Sequence, residues 1–267
     1  MAEPVVEAKD VLAGGFHVLD ARPEADYRAG HVAGAVRVSP ADWDRIIKGG
    51  NGGIGSVEDW NAAIGAVGVD GSRLVAIYDD GKATDAARIW FILQYFGVPA
   101  AVVNGNWPAL RAALGDRLQT AASEPVAAAF SGRPGAGAVG FKQRGDLREE
   151  LGSGVQVFDA RTQAEYDGKD VRNNPRGGHL PGAVRVGHTD LLDGSGRLLD
   201  AAALRQLLGK AGFASGKPIV THCEGGGRAA LAALAAVRAG YTGVHNYYLS
   251  FADWARDDTC PVVREQQ

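Results

Sequence analysis

One cysteine stands where it could act as a nucleophile. Cys223 ends a short buried-strand pattern that begins at Pro218, and Glu224, three glycines and Arg228 follow it. We predict a strand, a tight turn and an alanine-rich helix in that order. Consecutive glycines let several N–H groups point at one atom, and a helix N-terminus adds its positive dipole end. This setting favours a thiolate, the attacking form of cysteine; Cys260, in the tail, lacks it and is predicted to be structural.

Composition excludes several classes of protein. The chain has 267 residues, 28 Lys and Arg against 31 Asp and Glu, a net charge of −3 and 46 % hydrophobic residues. This balance argues against disorder and against a nucleic-acid or membrane binder driven by bulk charge. The longest apolar run, Ala229–Val237, is far shorter than the roughly 20 residues that cross a bilayer. Two cysteines suit neither a disulfide scaffold nor a zinc site, so we expect a soluble cytoplasmic protein without a metal.

The sequence contains an internal repeat. Two segments recur in the same order, Val18–Arg22 as Val157–Arg161 and Gly30–Val38 as Gly178–Val186. The second copy carries nine more residues, around 169–177. A repeat of this length indicates two copies of one domain. We predict domains over 1–120 and 139–267, joined by a linker rich in Ala, Gly, Pro and Ser over 121–138.

Each copy alternates short apolar runs with helical patterns. The clearest helices are Ala86–Phe96 and Arg228–Ala239, and the predicted strands are His17–Leu19, Leu74–Tyr78, Ala101–Val103, Val155–Phe158, Pro218–His222 and Val244–Tyr247. This alternation predicts an α/β fold in which each domain has a mainly parallel sheet with helices on both faces. Ligands of such sheets bind at the carboxyl ends of the strands, which is where Cys223 falls.

The ordered motifs Asp-x-Arg, Gly-His-x-x-Gly-Ala and Cys-x-x-Gly-x-Arg resemble the rhodanese family of sulfurtransferases, in its tandem two-domain type. The resemblance implies a thiosulfate sulfurtransferase type of enzyme that needs no cofactor. In it, Cys223 takes a sulfane sulfur from thiosulfate or 3-mercaptopyruvate and passes it to a thiol or cyanide. A thioredoxin-like or persulfide-bearing protein is a further implied partner. The persulfide would be cradled by the backbone of Glu224, Gly225, Gly226, Gly227 and Arg228.

Alignment of the two copies places Asp79 where Cys223 stands in the second copy. A carboxylate cannot carry a persulfide, so the first domain is predicted to be catalytically inactive.

The region around Cys223 departs from both branches of the family. The 3-mercaptopyruvate branch follows its cysteine with Gly-Ser, where this chain has Glu224 and Gly225. The thiosulfate branch has basic side chains after the cysteine and before the helix tyrosine, where this chain has Glu224, Gly225 and Glu165. A carboxylate beside the sulfur repels a dianion, so we expect poor use of thiosulfate. By the same reasoning, Glu224→Arg should improve it.

Three further side chains are candidates for substrate contact: Arg176, Arg185 and Asp159. Arg176 follows a proline in the insertion and resembles the Pro-Arg that contacts a carboxylate in the 3-mercaptopyruvate branch. Asp159 has an alternative role as a helix N-cap beside an Arg161–Glu165 pair. His222 adjoins the cysteine, but neighbours on a strand point to opposite faces, so we do not expect it to be the base.

Three other functions remain open at this point. Cys223 could serve a sulfur carrier fed by a protein persulfide donor, which needs the same cradle. A cysteine-dependent phosphatase also has Cys and Arg in one loop, but with five residues between them against four here. Finally, Gly135–Gly140 matches the G-x-G-x-x-G dinucleotide fingerprint, without the strand that must precede it.

Overall fold

The computed structural model describes residues 3–49 and 53–264. It divides into two compact units, Met1–Gly137 with Gly194–Arg197, and Ala138–Asp193 with Leu198–Gln267. Each unit contains a five-stranded sheet in which every pairing is parallel. No helix within the described ranges is both long and apolar enough to span a membrane.

The first unit alternates strands and helices. Its strands are β1 (Val5–Val6), β2 (His17–Asp20), β3 (Val36–Arg37), β4 (Val75–Tyr78) and β5 (Ala100–Val103), in the order β1-β5-β4-β2-β3. Its helices are α1 (Ala8–Ala13), α2 (Glu24–Ala29), α3 (Pro40–Lys48), α4 (Val57–Ala66), α5 (Thr84–Tyr95) and α6 (Asn106–Leu114), with a 3₁₀ turn at Gly53–Gly55.

The second unit repeats this plan. Its strands are β6 (Val139–Phe141), β7 (Gln156–Asp159), β8 (Ala183–Arg185), β9 (Ile219–His222) and β10 (Val244–Asn246), in the order β6-β10-β9-β7-β8. Its helices are α7 (Arg144–Glu150), α8 (Gln163–Tyr166), α9 (Ala201–Ala211), α10 (Gly227–Arg238) and α11 (Ser250–Trp254), with a 3₁₀ turn at His188–Leu191. The strand order is therefore the same in both units.

The central strands and the helices that follow them form the core. Every residue of β4 and β9 is buried, as expected for a parallel strand covered on both faces. The alanine-rich α10 is buried from Gly227 to Val237 apart from Arg228, because small side chains allow close approach to the sheet. Each central strand thus delivers its next residue, Asp79 or Cys223, to the carboxyl edge of a rigid sheet.

The predicted α/β fold with parallel, helix-flanked sheets is confirmed. Strands β1, β3, β6 and β8 were not predicted, since two or three residues are too few for a readable pattern. Gly140, the last residue of the dinucleotide fingerprint, lies in β6. The fingerprint Gly135–Gly140 therefore runs into a strand instead of following one, and the dinucleotide interpretation is wrong.

The segment 121–138 contains neither helix nor strand. It is nevertheless held in place, because Ala128 N–H donates to Gly65 O at 2.9 Å and Arg133 N–H donates to Phe96 O at 3.0 Å. These bonds fix the segment along the first unit.

Candidate functional site

Cys223 lies at the end of β9, the strand between β10 and β7. The residue is 2 % exposed, and its Sγ accepts a hydrogen bond from Gly226 N–H at 3.2 Å. The loop therefore curls back over the sulfur, as its glycines predicted. Gly225 is half-buried, and Gly227 begins α10, a helix of 12 residues, so a positive helix end adjoins the same loop.

Gly226 is a position that only glycine suits. Its φ is +103°, and a Cβ there would lie 2.7 Å from the ring of Tyr248. A side chain would therefore meet both backbone strain and a steric clash. The tight turn that brings its N–H to the sulfur depends on this residue.

Ser250 fixes the backbone of the cysteine. Its Oγ accepts from Cys223 N–H at 3.0 Å and lies 3.8 Å from Sγ. Its φ of +61° is uncommon for a residue with a Cβ. In the first unit Asn106, at φ +49°, accepts from Asp79 N–H at 2.9 Å in the same way. Sequence reasoning missed this contact, although Ser250 and Asn106 have the same offset as Cys223 and Asp79.

Asp79 fills the matching loop of the first unit with its own carboxylate. One oxygen accepts from the N–H groups of Gly81 and Ala83 at 2.9 and 3.0 Å. The other accepts from those of Asp85 and Ala86 at 3.1 and 3.2 Å. Burial raises the pKa of Asp79 to about 6, against the opposing effect of these bonds.

Arg228 is neutralised by a buried carboxylate. Its two terminal nitrogens donate to the oxygens of Glu165 at 2.7 and 2.8 Å, and Glu165 is 1 % exposed. Burial acts to raise the pKa of Glu165, but the bonds from Arg228 and Thr162 prevail and hold it far below its usual range. Arg228 therefore secures the start of α10 to α8 and brings no uncompensated charge.

Asp159 is fully buried, and its carboxylate is bound by another side chain of the same domain. Arg161 donates to both of its oxygens at 2.6 to 3.0 Å. The predicted Arg161–Glu165 pair is wrong. Arg161 lies two residues after Asp159, and its guanidinium binds the Asp159 carboxylate at the end of β7 instead. The predicted N-cap at Asp159 is also wrong, since Thr162 caps α8 in a capping box with Glu165.

His222 is the last residue of β9 and is paired with Asp159 of β7. Its Nε2 is 3.4 Å from Asp159 Oδ2, with both side chains fully buried. Burial lowers the pKa of His222 to about 4, so the ring is neutral at pH 7. This arrangement matches the expectation that His222 is a neighbour of the cysteine and not its base.

The nine-residue insertion packs against the loop that follows Cys223. Asn174 Nδ2 donates to Glu224 Oε1 at 2.8 Å. Arg172 Nε lies 3.2 Å from Glu165 Oε1. The first contact joins the insertion to the residue that follows the cysteine, and the second joins it to α8. The sequence revealed neither contact.

Arg176, predicted to bind a substrate anion, instead holds the backbone of the C-terminal segment. Four of its five N–H donors reach main-chain oxygens, at Ala255, Cys260, Trp254 and Asp257. The structure places this side chain against the end of α11 and the segment that follows it, where it donates to carbonyls at 2.5 to 3.2 Å.

Arg185 and His188 lie at the same carboxyl edge. Arg185 ends β8 opposite Asp159, is half-buried, and donates to Arg161 O at 3.4 Å. His188 begins the following 3₁₀ turn, and burial together with the charge of Arg228 lowers its pKa. His188 was not predicted as a site residue, because nothing in its local sequence marks it.

Comparison with known proteins identifies the domain present in each half of the chain. The rhodanese-like domain matches the chain twice, over residues 5–113 and 143–257. A thiosulfate sulfurtransferase of Azotobacter vinelandii is 30 % identical over 250 residues, covering 92 % of this chain and 90 % of that protein. The human 3-mercaptopyruvate sulfurtransferase is 30 % identical over 253 residues, covering 88 % of this chain and 80 % of that protein.

Solved structures share the architecture. The wild-type structure of EanB superposes with a TM-score of 0.83 at 18 % identity, covering 99 % of this chain and 70 % of that one. An anaerobic ergothioneine biosynthesis enzyme from Chlorobium limicola gives 0.84, also at 18 % identity. At this identity the likeness concerns the fold alone.

Two rhodanese-like domains in tandem and sulfurtransferase relatives over most of the chain define a tandem sulfurtransferase. The chain belongs to the rhodanese-like family, which matches it in both halves.

Proposed function

We propose that this sulfurtransferase moves a sulfane sulfur from a small donor to a thiophilic acceptor through a persulfide on Cys223. The contact between Gly226 N–H and Cys223 Sγ, at 3.2 Å, carries the proposal. It shows a backbone donor already aimed at the atom where negative charge resides in the thiolate. A donor fixed in the fold stabilises such charge without reorganisation.

The reaction consists of two displacements. The Cys223 thiolate attacks the sulfane sulfur of the donor, an S–S bond forms at Sγ, and the donor leaves with the electron pair of its broken bond to sulfur. An acceptor nucleophile then attacks the outer sulfur, and the electron pair of the persulfide bond returns to Sγ. Covalent catalysis of this kind divides one transfer into two easier steps. The residues need only hold an anionic sulfur, so no cofactor enters the scheme.

The first domain is proposed to be inactive. Its loop presents a carboxylate, at Asp79, where the second domain presents a thiol, and four backbone N–H groups already bind that carboxylate. A carboxylate neither accepts nor transfers sulfane sulfur. Catalysis therefore rests on the second domain.

The donor is proposed to be small because Cys223 is only 2 % exposed. This burial disfavours the alternative of a carrier loaded by a bulky protein persulfide. Thiosulfate and 3-mercaptopyruvate are the donors to test, since relatives are named for each. Arg185 remains the proposed donor contact, whereas Asp159 serves to hold Arg161.

A phosphatase is disfavoured by Arg228. In such a loop the arginine would face a phosphate dianion, but here its guanidinium donates to both oxygens of the buried Glu165. An arginine already neutralised in this way offers little to a second anion.

Intact-protein mass tests the proposal. Wild type is incubated separately with thiosulfate and with 3-mercaptopyruvate, then desalted. We expect a gain of one sulfur atom that a thiol removes, and the faster donor is the better substrate. Cys223→Ser should abolish the gain, and Cys260→Ser, which alters the other cysteine, should preserve it. Persistence of the added sulfur in Cys223→Ser would refute the proposed site.

A further inference from the structure

The carboxyl group of Glu224 is held in place, but only one of its two oxygens accepts a hydrogen bond. Its backbone oxygen accepts from Ala252 N–H at 3.1 Å, and its Oε1 accepts from Asn174 at 2.8 Å. Its Oε2 is buried and has no hydrogen-bond partner among the described residues. A buried acceptor without a donor costs free energy, so this atom is suited to a partner that the chain does not supply.

The neighbouring cations are committed elsewhere. Arg228 and Arg172 both contact Glu165, and Arg161 is paired with Asp159. Among the described residues Glu224 forms no ion pair. The uncompensated side-chain charge next to the nucleophile is therefore negative when Glu224 is ionised.

The insertion gives this carboxylate a fixed position. Asn174 belongs to the nine extra residues that the first domain lacks, so the bond to Glu224 is particular to the second domain. The corresponding residue of the first domain is Asp80, which is exposed and pairs with Lys82. The second copy thus holds its acid beside the reactive residue, whereas the first copy leaves it in solvent.

We propose that Glu224 is a specificity-determining residue that binds a protonated amine on the sulfur acceptor. The acceptor class is an aminothiol, whose ammonium group meets Oε2 while its thiolate attacks the outer sulfur of the persulfide. The acceptor loses its thiol proton to solvent and forms a new S–S bond. The old S–S bond breaks and its electron pair returns to Cys223 as the thiolate. This inference rests on the proposed persulfide mechanism.

Three two-carbon thiols of different charge test it: cysteamine, 2-mercaptoethanol and mercaptoacetate. Cys223 is first loaded with inorganic polysulfide, which requires no donor recognition, and loading is measured by mass. The rate of discharge to each thiol is then followed in wild type, Glu224→Gln and Asp80→Asn. Comparison of one thiol between variants cancels its intrinsic reactivity.

We expect Glu224→Gln to load with the anionic polysulfide at least as fast as wild type, because the carboxylate that repels an anion is gone. The same variant should slow discharge to cysteamine by about tenfold or more, since one charge pair with the acceptor is lost. Discharge to 2-mercaptoethanol should stay within about twofold, and Asp80→Asn should behave as wild type. Glu224→Arg should invert the order in favour of mercaptoacetate, and should also improve loading from thiosulfate.

Three outcomes overturn the inference. Equal changes for all three thiols in Glu224→Gln would show that Glu224 acts on the loop and not on charge. An unchanged preference for cysteamine would show that the amine binds elsewhere. Failure of polysulfide to add sulfur to wild-type Cys223 would instead refute the persulfide mechanism, and the inference with it.

Discussion

Replacing Glu165 by glutamine isolates the negative charge that holds Arg228, at the start of α10, in place. The carboxylate is 1 % exposed, receives two bonds from Arg228 and completes the capping box of α8 with Thr162. Glutamine has nearly the same shape and keeps one acceptor oxygen. The change therefore leaves a guanidinium without its counter-ion and perturbs the packing little.

The expected loss of stability follows from burial. Breaking a buried ion pair by removing one partner costs about 3–5 kcal/mol. The Arg228 side chain is only 16 % exposed, so hydration of the unpaired guanidinium offsets little of this loss of stability. Arg172, at 48 % exposed, adds little. The retained oxygen of glutamine puts the loss at about 3 kcal/mol, or roughly 10 °C in the melting temperature of a unit this size.

Urea denaturation at pH 7 measures this loss for the second unit. The matched control is Asp26→Asn, the same position of the first repeat, where the side chain is exposed and a change within about 0.5 kcal/mol is expected. The pKa of Glu165 is depressed, so its contribution is present above the pKa of an unfolded glutamate, about 4.3. It is lost as the pH falls through the folded pKa. A loss no larger than in the control, or one that persists in acid, would refute the reasoning.

Three more outcomes follow from the structure. Gly226→Ala places a Cβ 2.7 Å from the Tyr248 ring and should slow persulfide formation more than tenfold by mass, whereas Gly182→Ala, at φ +71° in open space, should leave it unchanged; equal rates would contradict the loop geometry. Arg176→Ala should lower the melting temperature and slow loading from thiosulfate and from a neutral organic polysulfide alike, since it contacts carbonyls; a loss confined to thiosulfate would restore a substrate role. Because burial raises the pKa of Asp79 from 3.8 to about 6, the first unit should lose about 3 kcal/mol of stability as the pH rises through that interval. Urea titrations at pH 4 and 7 check this, and an identical pH dependence in Asp79→Asn would refute it.

The repeat made much of the architecture predictable. Two copies with one motif order fixed the alignment of Asp79 with Cys223, and β4 and β9 end one residue before each of them. A run of glycines after a buried strand also predicted the turn that brings Gly226 to the sulfur. These features are local, so the sequence displays them.

Contacts between distant residues were not predictable in this way. Arg228 reaches Glu165 across 63 residues, and Arg176 reaches the carbonyl of Cys260 across 84. An arginine has similar neighbours in the sequence whether it binds an anion, a carboxylate or main-chain oxygens. Only the packed fold distinguishes these possibilities, and it assigned Arg176 to the backbone.

The carboxylate of Asp79 acts as a ligand that the first domain carries within its own chain. A loop of inward-facing N–H groups that lost its anionic sulfur would hold buried donors without acceptors, which folded proteins avoid. Asp79 supplies that acceptor permanently, so the N–H groups of the first domain's loop are satisfied without a sulfur atom. To place a nucleophile there, a substitution would have to remove the carboxylate that now occupies the loop. The loop would also need to shorten, since α5 begins five residues after Asp79 and α10 four after Cys223.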